Sequence, residues 1–132
     1  MAENRIIVVD DEAYVATTLA SRFRKAGYDV RVANNGQEAL DLALQDPPNV
    51  LITDFQMPIL SGYDMSVKLK ADPRTANLPV FMLTARGHRL SAEQLALTNI
   101  RQVLSKPFSA IELLAKVQEV CSAGAAATGA NQ

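Results

Sequence analysis

The sequence predicts an α/β fold, a five-stranded parallel sheet with helices on both faces. Three observations predict it. Short apolar runs alternate with helix-periodic stretches in five successive β-α units. Such units form parallel sheets, because their right-handed crossovers lay helices over each face. Four of the apolar runs also end in reactive side chains: Asp10-Asp11, Asp54, Thr84 and Lys106. Parallel strands carry all four to one edge of the sheet, the edge where open α/β sheets bind ligands. Finally, 132 residues with 48% apolar and 20% charged side chains fit one ordinary globular domain. We read residues 1–121 as that domain and 122–132 as a flexible tail or linker stub.

Arg5–Val9 is a buried strand, β-branched and continuously apolar from Ile6. Asp10 or Asp11 can cap the helix that follows, about Glu12–Ala26. Its packing stripe is Val15, Leu19 and Phe23 with Ala16 and Ala20 alongside, and Gly27 suits the position beyond its C-terminus. Tyr28–Ala33 alternates apolar and polar residues, as an edge strand does. Asn34-Asn35-Gly36 turns into a second helix, Gln37–Gln45, with Ala39, Leu40, Ala43 and Leu44 inward; Pro47-Pro48 stops it. Asn49–Thr53 is the third strand. Ser61–Ala71 is a helix with Met65 and Leu69 inward, broken by Asp72-Pro73. The fourth strand runs from Pro79, tolerated at a first strand position, through Leu83. A more polar helix spans Arg89–Thr98, with Asn99 able to take a left-handed C-cap conformation. Ile100–Leu104 is the fifth strand. The last helix, Ala110–Cys121, shows Ile111, Leu114, Val117 and Cys121 at helical spacing. The flavodoxin-like strand order 2-1-3-4-5 fits best, since it sets the first and third strands side by side at the switch point. Asp10, Asp11 and Asp54 then meet.

The bulk numbers bound the function. A net charge of −1 lacks the basic excess of a nucleic-acid surface. The single cysteine, Cys121, permits no intrachain disulfide, and it reads as a small apolar core residue. No run of about 18 apolar residues marks a membrane span, and the first strand begins too early for a signal peptide. The expected location is the cytoplasm.

Three convergent carboxylates repel one another, and a divalent cation relieves the repulsion. An all-oxygen site that keeps some water suits Mg²⁺, or Mn²⁺ in its place, and lacks the His and Cys ligands of zinc. With the metal and Lys106 the site is near neutral and can receive a phosphoryl group. A carboxylate can act as nucleophile toward phosphorus. Asp54 is the candidate, because it ends a strand and opens the accessible loop Phe55–Gly62. Asp10 and Asp11 hold the metal directly or through water, and the carbonyl of Gln56 can supply another oxygen. Thr84 can donate to one phosphoryl oxygen and Lys106 can pair with another. Phosphoryl transfer needs mainly positioning and charge stabilisation. Gln56 and Arg86, two residues beyond Asp54 and Thr84, flank the path of an attacking water.

These residues resemble the receiver domain of response regulators in two-component signalling. The resemblance covers nearly all of residues 5–121. It rests on Val9-Asp10-Asp11-Glu12, Asp54 with Met57-Pro58 and Gly62, Leu83-Thr84-Ala85, and Lys106-Pro107-Phe108. Each element alone is weak; all in order, each at a strand end, are highly specific. The resemblance implies transfer to Asp54 from the phosphohistidine of a sensor histidine kinase or phosphotransfer protein. It further implies Mg²⁺ dependence, slow self-hydrolysis tuned at positions 56 and 86, and a conformational shift on phosphorylation. One position departs. Three residues before Lys106 such domains usually carry an aromatic ring that swings inward as the threonine moves. Here stands Val103, which has no ring and few rotamers.

Val103 leaves a second reading open, a receiver-like interaction domain whose output does not need phosphorylation. A small-molecule phosphatase using an aspartate nucleophile usually carries a second Asp two residues on, where this chain has Gln56. A flavin carrier lacks its Ser/Thr/Gly-rich phosphate loop after the first strand. His88, the sole histidine, reads as a solvated residue.

Overall fold

The computed structural model describes residues 4–84, 90–105 and 109–130, the last nine of these by backbone alone. The elements run β1 (Arg5–Val9), α1 (Ala13–Lys25), β2 (Asp29–Ala33), α2 (Gly36–Gln45), β3 (Val50–Asp54), α3 (Gly62–Ala71), β4 (Val80–Thr84), α4 (Ala92–Ala96), β5 (Ile100–Ser105) and α5 (Ala110–Ala130). All strand pairs are parallel, in the order β2-β1-β3-β4-β5. This is the expected architecture.

Side chains alternate across a strand, so each apolar run feeds two cores. On one face Ile6, Val8, Ile52, Phe81 and Leu83 pack with Leu19 and Phe23 of α1 and Leu113 and Val117 of α5. On the other, Ile7, Val9, Leu51 and Val80 pack with Leu40 of α2 and Met65 and Leu69 of α3. The central strands β3 and β4 are buried at every residue. That explains their unbroken apolar sequences, for both faces are covered. The edge strands β2 and β5 keep exposed positions. Gly27 follows α1 with φ 100°, a left-handed conformation that an L side chain resists. Tyr28 stacks edge-on against Phe23, with ring centroids 5.7 Å apart at 77°. Burial and the neighbouring Cys121 thiol push the Tyr28 hydroxyl up to about 12.

Several local expectations are corrected. Neither Asp10 nor Asp11 is the N-cap of α1. Glu12 holds that position without a side-chain cap bond, while Asp10 Oδ1 accepts the Glu12 N–H at 2.9 Å. The fourth helix is five residues long and shorter than the expected 89–98. Its end has a local cause. The Thr98 hydroxyl donates to the Leu95 carbonyl and accepts the Ile100 N–H, competing with another helical turn. Asn99 does not adopt positive φ. Its side-chain amide instead donates to the Thr75 carbonyl at 3.0 Å. In α5 the buried residues are Leu113 and Val117, with Leu114, Val120 and Cys121 partly buried, while Ile111 is 68% exposed. The backbone of α5 continues as helix through 122–130. Five of those nine residues are alanine, the strongest helix former.

Candidate functional site

Asp10 immediately follows β1, Asp54 is the last residue of β3, and Thr84 is the last of β4. Parallel pairing aligns them. Val9 lies opposite Thr53, and Asp54 opposite Leu83, the residue before Thr84. The Phe55 N–H reaches the Leu83 carbonyl at 2.9 Å, extending this alignment one step past Asp54. The site therefore forms at the carboxyl edge of the sheet, between the first and third strands, as the strand order requires.

One carboxylate oxygen from each of Asp10, Asp11 and Asp54 lies within 4.8 Å of the others. Oxygens bound to one octahedral cation at 2.0–2.1 Å stand about 2.9 Å apart when adjacent and about 4.2 Å apart when opposite, and of three ligands at most one pair can be opposite. The three oxygens can therefore share one ion once they draw together around it. Its donors are all oxygen, which favours Mg²⁺ or Mn²⁺ over zinc. The three differ in exposure. Asp10 is 1% exposed, Asp54 is 9% exposed, and Asp11 is open to solvent. A cation or phosphodonor can approach from the Asp11 side while Asp10 forms the floor.

The Thr84 hydroxyl is fully buried and finds no hydrogen-bond partner among the described residues. A buried polar atom without a partner is costly, and a ligand oxygen would satisfy it. Gln56 is exposed on the loop after β3. Val103 is half-buried on β5, opposite Met82. Lys106, Arg86 and His88 lie outside the described residues.

The loop Phe55–Ser61 is held at both ends. The Gly62 N–H donates to the Phe55 carbonyl at 2.8 Å. A Cβ at Gly62 would stand 2.1 Å from the Asp54 carbonyl oxygen, so only glycine lets α3 start against the backbone of the candidate nucleophile. Ser61 accepts the Asp64 N–H and caps α3. Within the loop the Leu60 N–H reaches back to the Pro58 carbonyl at 2.8 Å, and Ile59 between them has φ 75°. That is a tight three-residue turn of a rare, strained type. It leaves Ile59 78% exposed, an apolar side chain displayed on the loop that Asp54 opens.

Sequence reasoning missed two participants in this frame, Tyr63 and Gln94. The Tyr63 hydroxyl donates to the Gln94 carbonyl at 3.0 Å across 31 residues of sequence. No local pattern announces such a contact.

The family model for the response regulator receiver domain matches residues 6–118. The DNA-binding dual master transcriptional regulator RpaA of Synechocystis is 34% identical over 114 residues, covering 86% of this chain and 47% of the regulator. The chain spans about half the length of the curated relatives it matches. Among solved structures, the receiver domain of the Francisella response regulator 1452 superposes with a TM-score of 0.78 at 30% identity, covering 89% of this chain and 96% of that one. The receiver domain of the sensor histidine kinase PA1611 from Pseudomonas aeruginosa, solved with a magnesium ion coordinated in its active site cleft, gives a TM-score of 0.79 at 25% identity, over 89% and 97% of the two chains. By sequence and by fold, the chain belongs to the response regulator receiver domain family of two-component signal transduction.

Proposed function

We propose that the chain is a phosphorylation-driven signalling switch with Asp54 as phosphoacceptor. The observation that carries this reading is a cluster of three carboxylates with one oxygen each within 4.8 Å of the others, at a sheet edge where β4 also ends in the buried, unsatisfied hydroxyl of Thr84. An Asp54 carboxylate oxygen attacks the phosphorus of a phosphohistidine on a sensor histidine kinase or phosphotransfer protein. A P–O bond forms, the P–N bond breaks, and its electron pair stays on the imidazole. Asp10, Asp11 and Asp54, with the Gln56 carbonyl, would hold Mg²⁺, which when bound neutralises charge on the phosphoryl oxygens. Thr84 donates to one such oxygen and Lys106 pairs with another, and together these groups supply positioning and charge stabilisation. Hydrolysis returns the carboxylate slowly, at a rate set in part by the residues at positions 56 and 86.

Among the described residues no helix is long and apolar enough to cross a membrane, in keeping with a module that meets its kinase in the cytoplasm. A second reading, an interaction domain with phosphorylation-independent output, is favoured only by Val103. One experiment separates them. The protein is incubated with acetyl phosphate and Mg²⁺ and its intact mass is measured. The parent should gain one phosphoryl group, lost when Mg²⁺ is chelated beforehand, and Asp54→Asn should gain none. A parent that never gains the mass would favour the second reading.

A further inference from the structure

We propose that Tyr63 is a positioning residue that carries the state of Asp54 to α4, a route that does not use the missing ring at position 103. The inference rests on the phosphoacceptor reading above.

The contact joins two segments of opposite character. At one end, Tyr63 follows Gly62, and Gly62 is pressed against the Asp54 carbonyl and bonded to the Phe55 carbonyl. A shift of the Asp54 backbone or its loop therefore reaches Tyr63 through one covalent link. At the other end, Gln94 is the residue on which the whole of α4 turns. Its backbone N–H bonds the Ser91 hydroxyl at 3.1 Å, and its side-chain oxygen accepts the Ser91 N–H at 2.8 Å, forming a capping box. Its carbonyl accepts the Leu97 N–H at 3.3 Å, closing the last turn. The Tyr63 hydroxyl adds a second bond to that carbonyl.

The rest of α4 has little to hold it. None of its residues is buried, and five residues are far too few for a helix to stand without tertiary support. One hydrogen bond is then a large share of what fixes its position. α4 is reached from the site along two routes, covalently from Thr84 through residues 85–91 and across space from Tyr63. When Asp54 is modified and its loop moves, the Tyr63 bond must move Gln94 or break. Either outcome changes the exposed surface of α4, Leu97 included.

The test compares the parent with Tyr63→Phe, which keeps the ring and removes the hydroxyl. Intact mass after acetyl phosphate and Mg²⁺ should show equal modification of both proteins. Without phosphodonor, amide exchange at Leu97 and Thr98 should be about fivefold faster in the variant, the factor set by a typical hydrogen bond, with Met65–Leu69 unchanged. With phosphodonor, the amide resonances of Gln94–Thr98 should shift in the parent and shift much less in the variant. Equal shifts in the two proteins overturn the inference. So does faster exchange across α3, which would make Tyr63 merely structural. Absence of modification in the parent overturns the phosphoacceptor reading and this inference together; normal modification with equal α4 shifts overturns the inference alone.

Discussion

The two ends of the sheet's carboxyl edge are built differently. The β1–β3–β4 portion is buried almost throughout, and it holds Asp54 and Thr84 on strands packed from both sides, with Asp10 directly after the end of β1. The α4–β5 portion is loose. Most of β5 is exposed or half-exposed, its pairing with β4 shifts register between Val80 and Phe81, and α4 buries nothing. The difference teaches where each task can be performed. Phosphoryl transfer needs groups held to within fractions of an ångström, which rigid packed strands supply. A readout needs an element whose position a small free-energy change can alter, and such elements come from the least stable parts of a fold.

The contrast can be broken most sharply through stability. Ile52→Ala removes a fully buried side chain from the central strand and should cost about 2–5 kcal/mol. Leu97→Ala acts on a residue 62% exposed and should stay within about 0.5 kcal/mol. Denaturant titration of both variants checks the pair; similar losses would mean that the α4 portion is as tightly built as the sheet. Gly62→Ala probes the join between the two regions. Its Cβ has only backbone to displace at 2.1 Å, so a loss of about 1–3 kcal/mol is expected, together with weaker Mg²⁺ binding as Asp54 is moved. A variant with parental stability and parental Mg²⁺ affinity would show that the loop gives way freely.

Smaller effects concern kinetics and readout. An arginine at position 86 carries several donors, and in the proposed switch these would favour the ground-state phosphate and hinder the in-line approach of water. Arg86→Ala should therefore lose its phosphoryl group ~3- to 10-fold faster, roughly 0.7–1.4 kcal/mol in the barrier. Slower loss would assign Arg86 to the transition state. Val103→Tyr restores a ring on β5 without touching the carboxylates. Phosphorylation should proceed as in the parent, while the amide shifts it produces across Ile100–Leu104 and Ile111–Val117 should grow. Equal shifts in the two proteins would show that valine already transmits the change there.

How much of this was legible in the sequence follows the same division. The strands were plain, because a segment buried on both faces must be apolar at every position, as Val50–Thr53 and Val80–Leu83 nearly are. The meeting of Asp10, Asp11 and Asp54 followed from strand order alone. The inward face of α5 did not, because Ala110 to Cys121 offers two apolar series at helical spacing. Ile111, Leu114, Val117 and Cys121 form one; Ala110, Leu113, Val117 and Val120 form the other. Only packing on α1 and the sheet chooses Leu113 over Ile111. The short α4 was hidden because its end is set by the Thr98 hydroxyl, and the Tyr63–Gln94 contact because it joins distant segments with no periodic signal. Asp10 had two readings, helix cap and site carboxylate: it is not the N-cap of α1, and one of its oxygens lies in the carboxylate cluster.

The most direct measurement is the identity of the modified residue. The protein is treated with acetyl phosphate and Mg²⁺, the acyl phosphate is reduced with borohydride, and the reduced residue is located by peptide mass. The reduced residue should be Asp54 alone, with Asp10 and Asp11 intact. Reduction at Asp10 or Asp11 while Asp54 is untouched would contradict the assignment of the nucleophile.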